Sequence, residues 1–270
     1  MAELKPEFVD YHCHLDLYPN FENQFRDCTA NRIATLAVTT TPQAWPRNKE
    51  LAESSPMVRV ALGIHPQLVS QFPNELSRFE QYLPETRYVG EVGLDAGPVY
   101  YKTYAEQRVI FETVLRLCAQ AGGKILSVHC VRAAKDLLNL IETHIAGTTN
   151  HVVLHWFSGS LTETQRAVEL GCYFSINSAM LAKPTALSLL ARIPPQRLLT
   201  ETDGPFTKNR DRPASPCDVR ETTEKLATLT GLSPEGAKNL ICTNLSAIER
   251  TPTKDKGLNG DPDRAFKGEL

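Results

Sequence analysis

Two histidines near the amino terminus have the spacing of neighbouring metal ligands. His12 and His14 are separated by one residue and follow a run that is rich in apolar side chains, 8–11. Residues i and i+2 of a strand face the same side, so the two imidazoles would project together. Paired imidazoles of this kind can begin a metal site, and the alternative interpretation is a pair of ordinary surface or core histidines.

Further ionisable residues recur where later apolar runs end. Burying such groups is costly unless a partner compensates for the lost water. Five of the seven histidines of the chain fall at positions of this kind. A shared metal centre explains this common position better than several unrelated buried polar residues. The later residues are His65, Glu91, His129, His155, Glu201 and Asp203.

The donor types restrict the chemistry of such a centre. Histidine and carboxylate ligands without cysteine suit Zn²⁺, Mn²⁺ or Mg²⁺. The set exceeds one open tetrahedral site, whereas two ions bridged by a carboxylate would use it fully, and paired ions ~4 Å apart can clamp both reacting oxygens of a phosphodiester. We expect Glu91 to be the bridge and Asp203 to serve as both ligand and general base. Glu201 would orient a ligand, bind substrate or support the ligands from behind.

Eight short apolar or β-branched runs must position these residues. They alternate with amphipathic segments, a pattern that predicts parallel strands joined by helical crossovers. Eight such units are the number that closes a (β/α)₈ TIM barrel, in which all carboxyl ends of the strands meet at one mouth. An open doubly wound sheet would instead need a glycine-rich turn where His12-Cys13-His14 stands. The predicted strands are 8–12, 33–41, 58–65, 88–95, 125–130, 152–157, 172–177 and 198–203.

Five helices are predicted with some precision. Thr162 is the expected N-cap of one, and Ser233 and Pro234 have the types preferred at the N-cap and first position of the last. The predicted spans are 103–121, 133–145, 162–170, 219–230 and 235–250. We expect one barrel domain over 1–250 and a flexible tail over 251–270, which is rich in Lys, Asp, Gly and Pro.

Composition excludes several classes of protein. The 270 residues are 41% hydrophobic and 22% charged with a net charge of −2, unlike a disordered chain. No apolar run approaches the ~20 residues that span a bilayer. The amino terminus lacks the apolar core of a signal peptide, and the seven cysteines include no Cys-x-x-Cys pair, so we expect a reduced, cytoplasmic protein without a membrane partner. The near-neutral charge argues against a protein that coats nucleic acid.

Six short motifs, in order, resemble the TatD-like metal-dependent deoxyribonucleases, a branch of the amidohydrolase-like barrels. The similarity extends over about 8–248 and is specific as an ordered set. The motifs are Val-Asp-Tyr-His-Cys-His-Leu-Asp (9–16), Gly-Ile-His-Pro (63–66), Gly-Glu-Val-Gly-Leu-Asp (90–95), Ser-Val-His (127–129), His-Trp-Phe-Ser-Gly (155–159) and Glu-Thr-Asp-Gly-Pro (201–205).

The resemblance implies a specific ligand set and activity. One metal would be held by His12, His14, Glu91 and Asp203, and the other by Glu91, His129 and His155. His65 would contact the scissile phosphate. The family includes 3′→5′ exonucleases, which implies hydrolysis of DNA at chain ends, single-stranded ones in particular, by a metal-activated water.

The chain departs from the family pattern at three points. Gln67 replaces a usual second histidine, and Trp156 replaces a usual cysteine. The arginine expected two residues after His129 is replaced by Val131, and Arg132 follows one position later as the candidate phosphate-binding residue. These departures concern substrate preference, because none removes a proposed ligand.

Two other functions fit the same sequence. One is a metal-dependent hydrolase of a small amide, ester or lactone, since a fold alone does not fix the substrate. The other is a non-catalytic, partner-binding subunit that retains the site, against which the full ligand set argues. The variants around Leu15-Asp16-Leu17 and Gln67-Leu68 also look like members from bacterial anti-phage gene clusters, which would supply protein partners.

Overall fold

A computed structural model describes residues 4–72 and 74–250 of the chain. Eight strands occur in the predicted order, each followed by helical structure. The predicted tail over 251–270 lies outside the described residues. The strands are β1 (Phe8–Cys13), β2 (Ile33–Val38), β3 (Val58–Ala61), β4 (Tyr88–Asp95), β5 (Ile125–Val131), β6 (His151–His155), β7 (Tyr173–Ile176) and β8 (Leu198–Thr200).

The eight strands are parallel and pair in sequence order. They form a three-stranded sheet, β1–β3, and a five-stranded sheet, β4–β8. An isolated bridge between Leu62 and Val89 joins the two sheets at one seam. At the other seam the main-chain N–H of Asp203 donates to the carbonyl oxygen of His12 at 2.9 Å, and that of His14 donates to Gly204 at 2.8 Å. The fold is therefore the predicted (β/α)₈ barrel.

The helices cover the strands in the way that the amphipathic pattern predicts. The segment 219–230 is confirmed to the residue, and Ser233 caps the last helix by accepting the N–H of Gly236. The prediction of Thr162 as a cap is wrong, because Ser160 forms the cap. The hydroxyl of Ser160 accepts the main-chain N–H of Glu163, and the carboxylate of Glu163 accepts the main-chain N–H of Ser160. The helices are α1 (Phe21–Ala30), α2 (Trp45–Ala52), α3 (Glu75–Tyr82), α4 (Tyr104–Ala121), α5 (Ala134–His144), α6 (Leu161–Glu169), α7 (Ser178–Leu181), α8 (Ala186–Leu190), α9 (Val219–Thr230) and α10 (Pro234–Glu249).

Several strands end earlier than predicted, which moves the polar residues into the loops of the mouth. β3 ends at Ala61, four residues before His65, and β8 ends three residues before Asp203. The chain after β3 passes so close to Thr39 that residue 63 must be glycine, because a Cβ there would lie 1.8 Å from the carbonyl oxygen of Thr39. That oxygen accepts the main-chain N–H of Glu91 at 3.0 Å. The close approach thus fixes the backbone that carries Glu91.

The core is continuous around the barrel. All residues of β2 and β4 are buried, as expected for parallel strands covered on both faces. Beyond β8, two short strands pair as a hairpin at the mouth, β9 (Lys208–Asn209) and β10 (Arg212–Pro213). Among the described residues, no helix is both long and apolar enough to cross a membrane.

Candidate metal centre

The carboxylate of Glu91 lies at the centre of the mouth, and one of its oxygens faces two histidines. Oε1 is 2.7 Å from Nδ1 of His129 and 2.9 Å from Nε2 of His155. These two ring nitrogens are themselves 3.4 Å apart. β4, β5 and β6 are adjacent strands, so their carboxyl ends bring the three side chains together.

The other oxygen of Glu91 faces a second group of residues from the opposite side of the barrel. Oε2 is 3.2 Å from Nε2 of His14 and 3.5 Å from Nε2 of His12. Both nitrogens are 3.7 Å from Oδ1 of Asp203. This division of the two oxygens matches the two ligand groups that the resemblance implies.

The side chains present fit divalent cations. Nε2 of His12 faces Glu91 and Asp203 and is a buried ring nitrogen without a hydrogen-bond partner among the described residues. A lone pair in such a position is stabilised by a cation. Ligand atoms lie within 4.8 Å of one another in three groups, namely His12, His14 and Glu91; His12, His155 and Glu201; and His65, Glu91 and His129.

His65 lies against the same carboxylate, at the edge of the cavity. Its Nε2 is 3.2 Å from Oε2 of Glu91, and its Nδ1 accepts the main-chain N–H of Gln67 at 3.2 Å. The structure thus places His65 beside the ligand groups, where a substrate phosphate would also approach.

Glu201 is not among the described residues that line the cavity, so of its predicted roles the position favours support of the ligands from behind over substrate binding. The residue is fully buried, with Oε1 3.7 Å from Nδ1 of His155. Its oxygens accept hydrogen bonds from the main-chain N–H of Trp156, the amide of Asn177 and the hydroxyl of Ser175. Glu201 therefore lies behind His155, and its acceptor capacity is used within the protein.

Two further residues support the ligands, and the strand pattern could have indicated both. The hydroxyl of Ser127 is 2.7 Å from Nδ1 of His12, and Oδ2 of Asp95 is 3.1 Å from Nε2 of His129. Ser127 lies two residues before His129, and Asp95 four after Glu91, so period-two alternation places each on the ligand face. Asp10, two residues before His12, accepts hydrogen bonds from the main-chain N–H and the hydroxyl of Thr202.

The surrounding histidines keep Glu91 ionised. Burial alone would raise the pKa of Glu91, but its interactions with His65, His155 and His12 outweigh burial and hold that pKa well below its ordinary value. Burial and the neighbouring His155 lower the pKa of His12 well below its ordinary value. A permanently charged bridge and a neutral imidazole are the protonation states that a cation requires.

Asp203, His129 and His155 have pKa values above those that are ordinary for their side chains. Burial raises the pKa of Asp203 to about 7, against the opposing effect of His155 and His14. For His129 and His155 burial lowers the pKa, but the neighbouring carboxylates Asp95, Glu91 and Glu201 raise it further, so both lie above the ordinary value. A carboxylate that titrates near neutrality is suited to general base catalysis.

The ligand groups open into a cavity of about 450 Å³. Its wall includes Gln67, Val131, Trp156, Lys183 and Phe206. Phe206 is 62% exposed and meets the ring of His14 edge to face. Lys183 is exposed and forms no ion pair with any described carboxylate. The cavity wall thus combines the positive charge of Lys183 with the aromatic side chains of Trp156 and Phe206.

Arg132 is absent from the described wall of this cavity. Its exposed side chain lines a neighbouring groove of about 320 Å³, and Val131 takes the place at the cavity. Cys130 and Ser158 contribute to both spaces. The shift by one position in the sequence has therefore turned this arginine away from the candidate ligands.

The chain matches the model of a known family and is similar to named relatives. The family described as "TatD related DNase" matches residues 9–250. A mouse protein named "Putative deoxyribonuclease TATDN3" is 27% identical over 261 residues, covering 87% of this chain and 86% of its own. A protein of Edwardsiella piscicida named "3'-5' ssDNA/RNA exonuclease TatD" is 32% identical over 178 residues, covering 61% of this chain and 67% of its own.

The fold is also that of solved structures. The crystal structure of YjjV, a TatD homologue from Escherichia coli K12, superposes with a TM-score of 0.81 at 24% identity, covering 91% of this chain and 99% of that one. A structure of an uncharacterised amidohydrolase from Saccharomyces cerevisiae gives a TM-score of 0.76 at 16% identity, covering 89% and 99%. These likenesses extend over nearly the whole barrel.

Proposed function

The chain belongs to the TatD-related DNase family and is a hydrolase of that family, and from this premise we propose that it removes nucleotides from the 3′ ends of DNA with two divalent metal ions. The observation that carries the proposal is the division of Glu91, whose two oxygens face separate histidine groups. A single bridging carboxylate between two ligand groups is the arrangement that a two-metal phosphodiesterase requires.

The residues that would hold the ions follow from this division. His12, His14 and Asp203 would hold one ion at Oε2 of Glu91, and His129 and His155 would hold the other at Oε1. When bound, Zn²⁺, Mg²⁺ or Mn²⁺ supplies positive charge that stabilises the charge developing on the phosphate.

The chain's own residues supply the proton transfer and the alignment. Asp203 lies beside His12 and His14 and accepts the proton of the attacking water at its carboxylate, as a general base must. His65 binds a non-bridging oxygen of the phosphate from the edge of the cavity. Glu201 and Ser127 keep His155 and His12 in place during the reaction.

The cavity wall favours an unpaired chain end as the substrate. Phe206 and Trp156 offer faces on which an unstacked base can lie, and Lys183 offers a charge for a neighbouring phosphate. A base at a single-stranded end is exposed and can stack on these rings, whereas a base within a duplex is enclosed between its neighbours. Bacterial relatives are named as exonucleases of single-stranded DNA and RNA, which supports this choice. The association with anti-phage clusters, like the cytoplasmic location, stays a prediction.

A direct assay tests this function. Purified protein is incubated with 5′-labelled single- and double-stranded DNA and Mg²⁺, Mn²⁺ or Zn²⁺, with Glu91→Ala and Asp203→Ala as matched variants. We expect a metal-dependent ladder shortened from the 3′ end, fastest on single strands and absent in both variants. Equal activity in the variants would mean that the activity comes from a contaminant. If the DNA stays intact but a lactone or ester is cleaved, the small-molecule hydrolase is favoured. If no substrate is hydrolysed, the non-catalytic subunit is favoured.

A further inference from the structure

His129 lies between two carboxylates, one at each ring nitrogen. Its Nδ1 is 2.7 Å from Oε1 of Glu91, and its Nε2 is 3.1 Å from Oδ2 of Asp95. Asp95 is buried at the end of β4 and is only 2% exposed. The ring therefore has a metal-facing nitrogen and a nitrogen that faces the protein.

Two donors and one acceptor hold the carboxylate of Asp95 and its backbone in one orientation. Oδ1 accepts the main-chain N–H of Gly97 at 2.7 Å, and Oδ2 accepts the side-chain amide of Gln67 at 2.7 Å. The main-chain N–H of Asp95 donates to Oε1 of Gln107 on α4, also at 2.7 Å. This side chain is thus prevented from turning toward the cavity.

We propose that Asp95, held by Gln67, is a positioning residue that selects the tautomer of His129 and thereby completes the second metal site. A carboxylate only accepts hydrogen bonds, so Nε2 of His129 must donate to it. A metal ion binds the neutral imidazole, which has one N–H, so with Nε2 donating to Asp95 the lone pair of Nδ1 is left for the ion. The inference rests on the proposed two-metal function.

The effect of Asp95 is specific to one of the two sites. Asp95 contacts His129, which belongs to the group at Oε1, whereas Ser127 contacts His12 of the group at Oε2. Gln67 stands where the family usually has a histidine, so this chain holds Asp95 with an uncharged amide. Outer hydrogen-bond partners of metal-binding histidines contribute about 10- to 100-fold to metal affinity.

The test replaces the acceptor without changing its shape. In Asp95→Asn the amide can donate to Nε2 of His129, which favours the tautomer with the proton on Nδ1. The matched control is Asp27→Asn, the same change at an exposed position of α1. Chelator-treated full-length protein is titrated with Zn²⁺ in a calorimeter, and the imidazole ¹⁵N resonances report the tautomer before and after Zn²⁺ is added.

We expect two Zn²⁺ ions per chain in the parent and in Asp27→Asn. Asp95→Asn should keep one tight Zn²⁺, bind the other about 10- to 100-fold more weakly, and shift the resonances of one histidine to the Nδ1–H pattern. Unchanged binding of both ions, or an unchanged tautomer pattern, overturns the proposal. If Asp95→Asn does not fold, Gln67→Ala is used instead, and it should weaken the binding of the same one of the two Zn²⁺ ions by a smaller factor. Unchanged affinity for both ions in Gln67→Ala would then overturn the proposal.

The failure of the proposed function gives a different result. A parent protein that binds two Zn²⁺ ions but leaves single-stranded DNA intact contradicts the nuclease assignment, while the Zn²⁺ titrations and ¹⁵N spectra still decide the role of Asp95. A parent that never binds a second Zn²⁺ overturns both.

Discussion

The imidazole rings of His12 and His155 are stacked, with their centroids 3.7 Å apart and their planes 9° from parallel. The two residues belong to different ligand groups, so the stack joins the two halves of the site. Burial and the neighbouring His155 lower the pKa of His12, whereas Glu91 and Glu201 outweigh burial and raise the pKa of His155. In the metal-free protein a proton is therefore held more readily by His155 than by His12.

Glu91→Gln should abolish the binding of both metal ions. The amide keeps the volume of the side chain but removes the charge that faces all five histidines of the mouth. Loss of an outer hydrogen-bond partner lowers activity by up to about 100-fold, and loss of the shared ligand should lower the rate of DNA hydrolysis by more than that. Metal analysis after dialysis measures the effect, and a variant that retains two ions per chain would contradict the bridging role.

Glu201→Gln should lower kcat and leave KM for DNA nearly unchanged, because Glu201 is buried behind His155. The amide nitrogen cannot accept the hydrogen bonds now made to one of the two carboxylate oxygens, either that of Ser175 or those of Trp156 and Asn177, so the free energy of unfolding should fall by about 1–3 kcal/mol. Steady-state kinetics and urea unfolding check both effects. A selective rise in KM would restore the assignment to substrate binding.

Phe206→Ala should raise KM for single-stranded DNA. A stacked base contributes about 1–3 kcal/mol, which corresponds to about 5- to 150-fold in KM. Leu232→Ala, at a residue 40% exposed in the turn between α9 and α10, is the control for removal of an exposed apolar side chain. Both variants should bind metal like the parent. An unchanged KM in Phe206→Ala would exclude stacking on this ring.

Metal affinity should rise with pH through neutrality. The ions displace protons from Asp203, whose pKa is about 7, and from His129 and His155, whose pKa values are raised. Zn²⁺ titrations between about pH 5.5 and 8 measure the slope. Affinity that is independent of pH would show that these groups are not ligands.

The metal-free protein should show the opposite trend in stability. Between the ordinary pKa of 3.8 and about 7, the folded state holds the proton of Asp203 more tightly than the unfolded state, so its contribution to stability falls as pH rises. The contribution of His155 is present below 6.5 and is lost as pH rises through its higher folded pKa. Thermal unfolding of chelator-treated protein should therefore occur at lower temperature at pH 8 than at pH 5.5, and saturating Zn²⁺, which displaces these protons and binds more tightly at pH 8, should abolish or reverse the difference.

Strand periodicity sufficed to predict the residues that share the mouth. His12, Glu91, His129 and Asp203 converge because parallel strands deliver their carboxyl ends to one place. The direction in which Glu201 points could not be predicted, since it depends on Ser175 and other residues that a different strand places beneath it.

Loop geometry was the least predictable part of the chain. The predicted strand 58–65 ends at Ala61, because the backbone at Gly63 packs directly against Thr39. Arg132 follows the candidate ligands by sequence, but its backbone has a φ of 53°, and its side chain lines the neighbouring groove. Tertiary contacts of this kind have no signature in the hydrophobic pattern.

The candidate ligands are distributed from β1 to the residues that follow β8, and this spacing links activity to synthesis. A ribosome that has released β1 to β6 has produced every histidine of the centre but not Asp203, and the seam at which Asp203 bonds to His12 does not yet exist. An unfinished or truncated polypeptide therefore lacks the complete set of ligands. We therefore expect the proposed nuclease activity only in polypeptides that extend past Asp203.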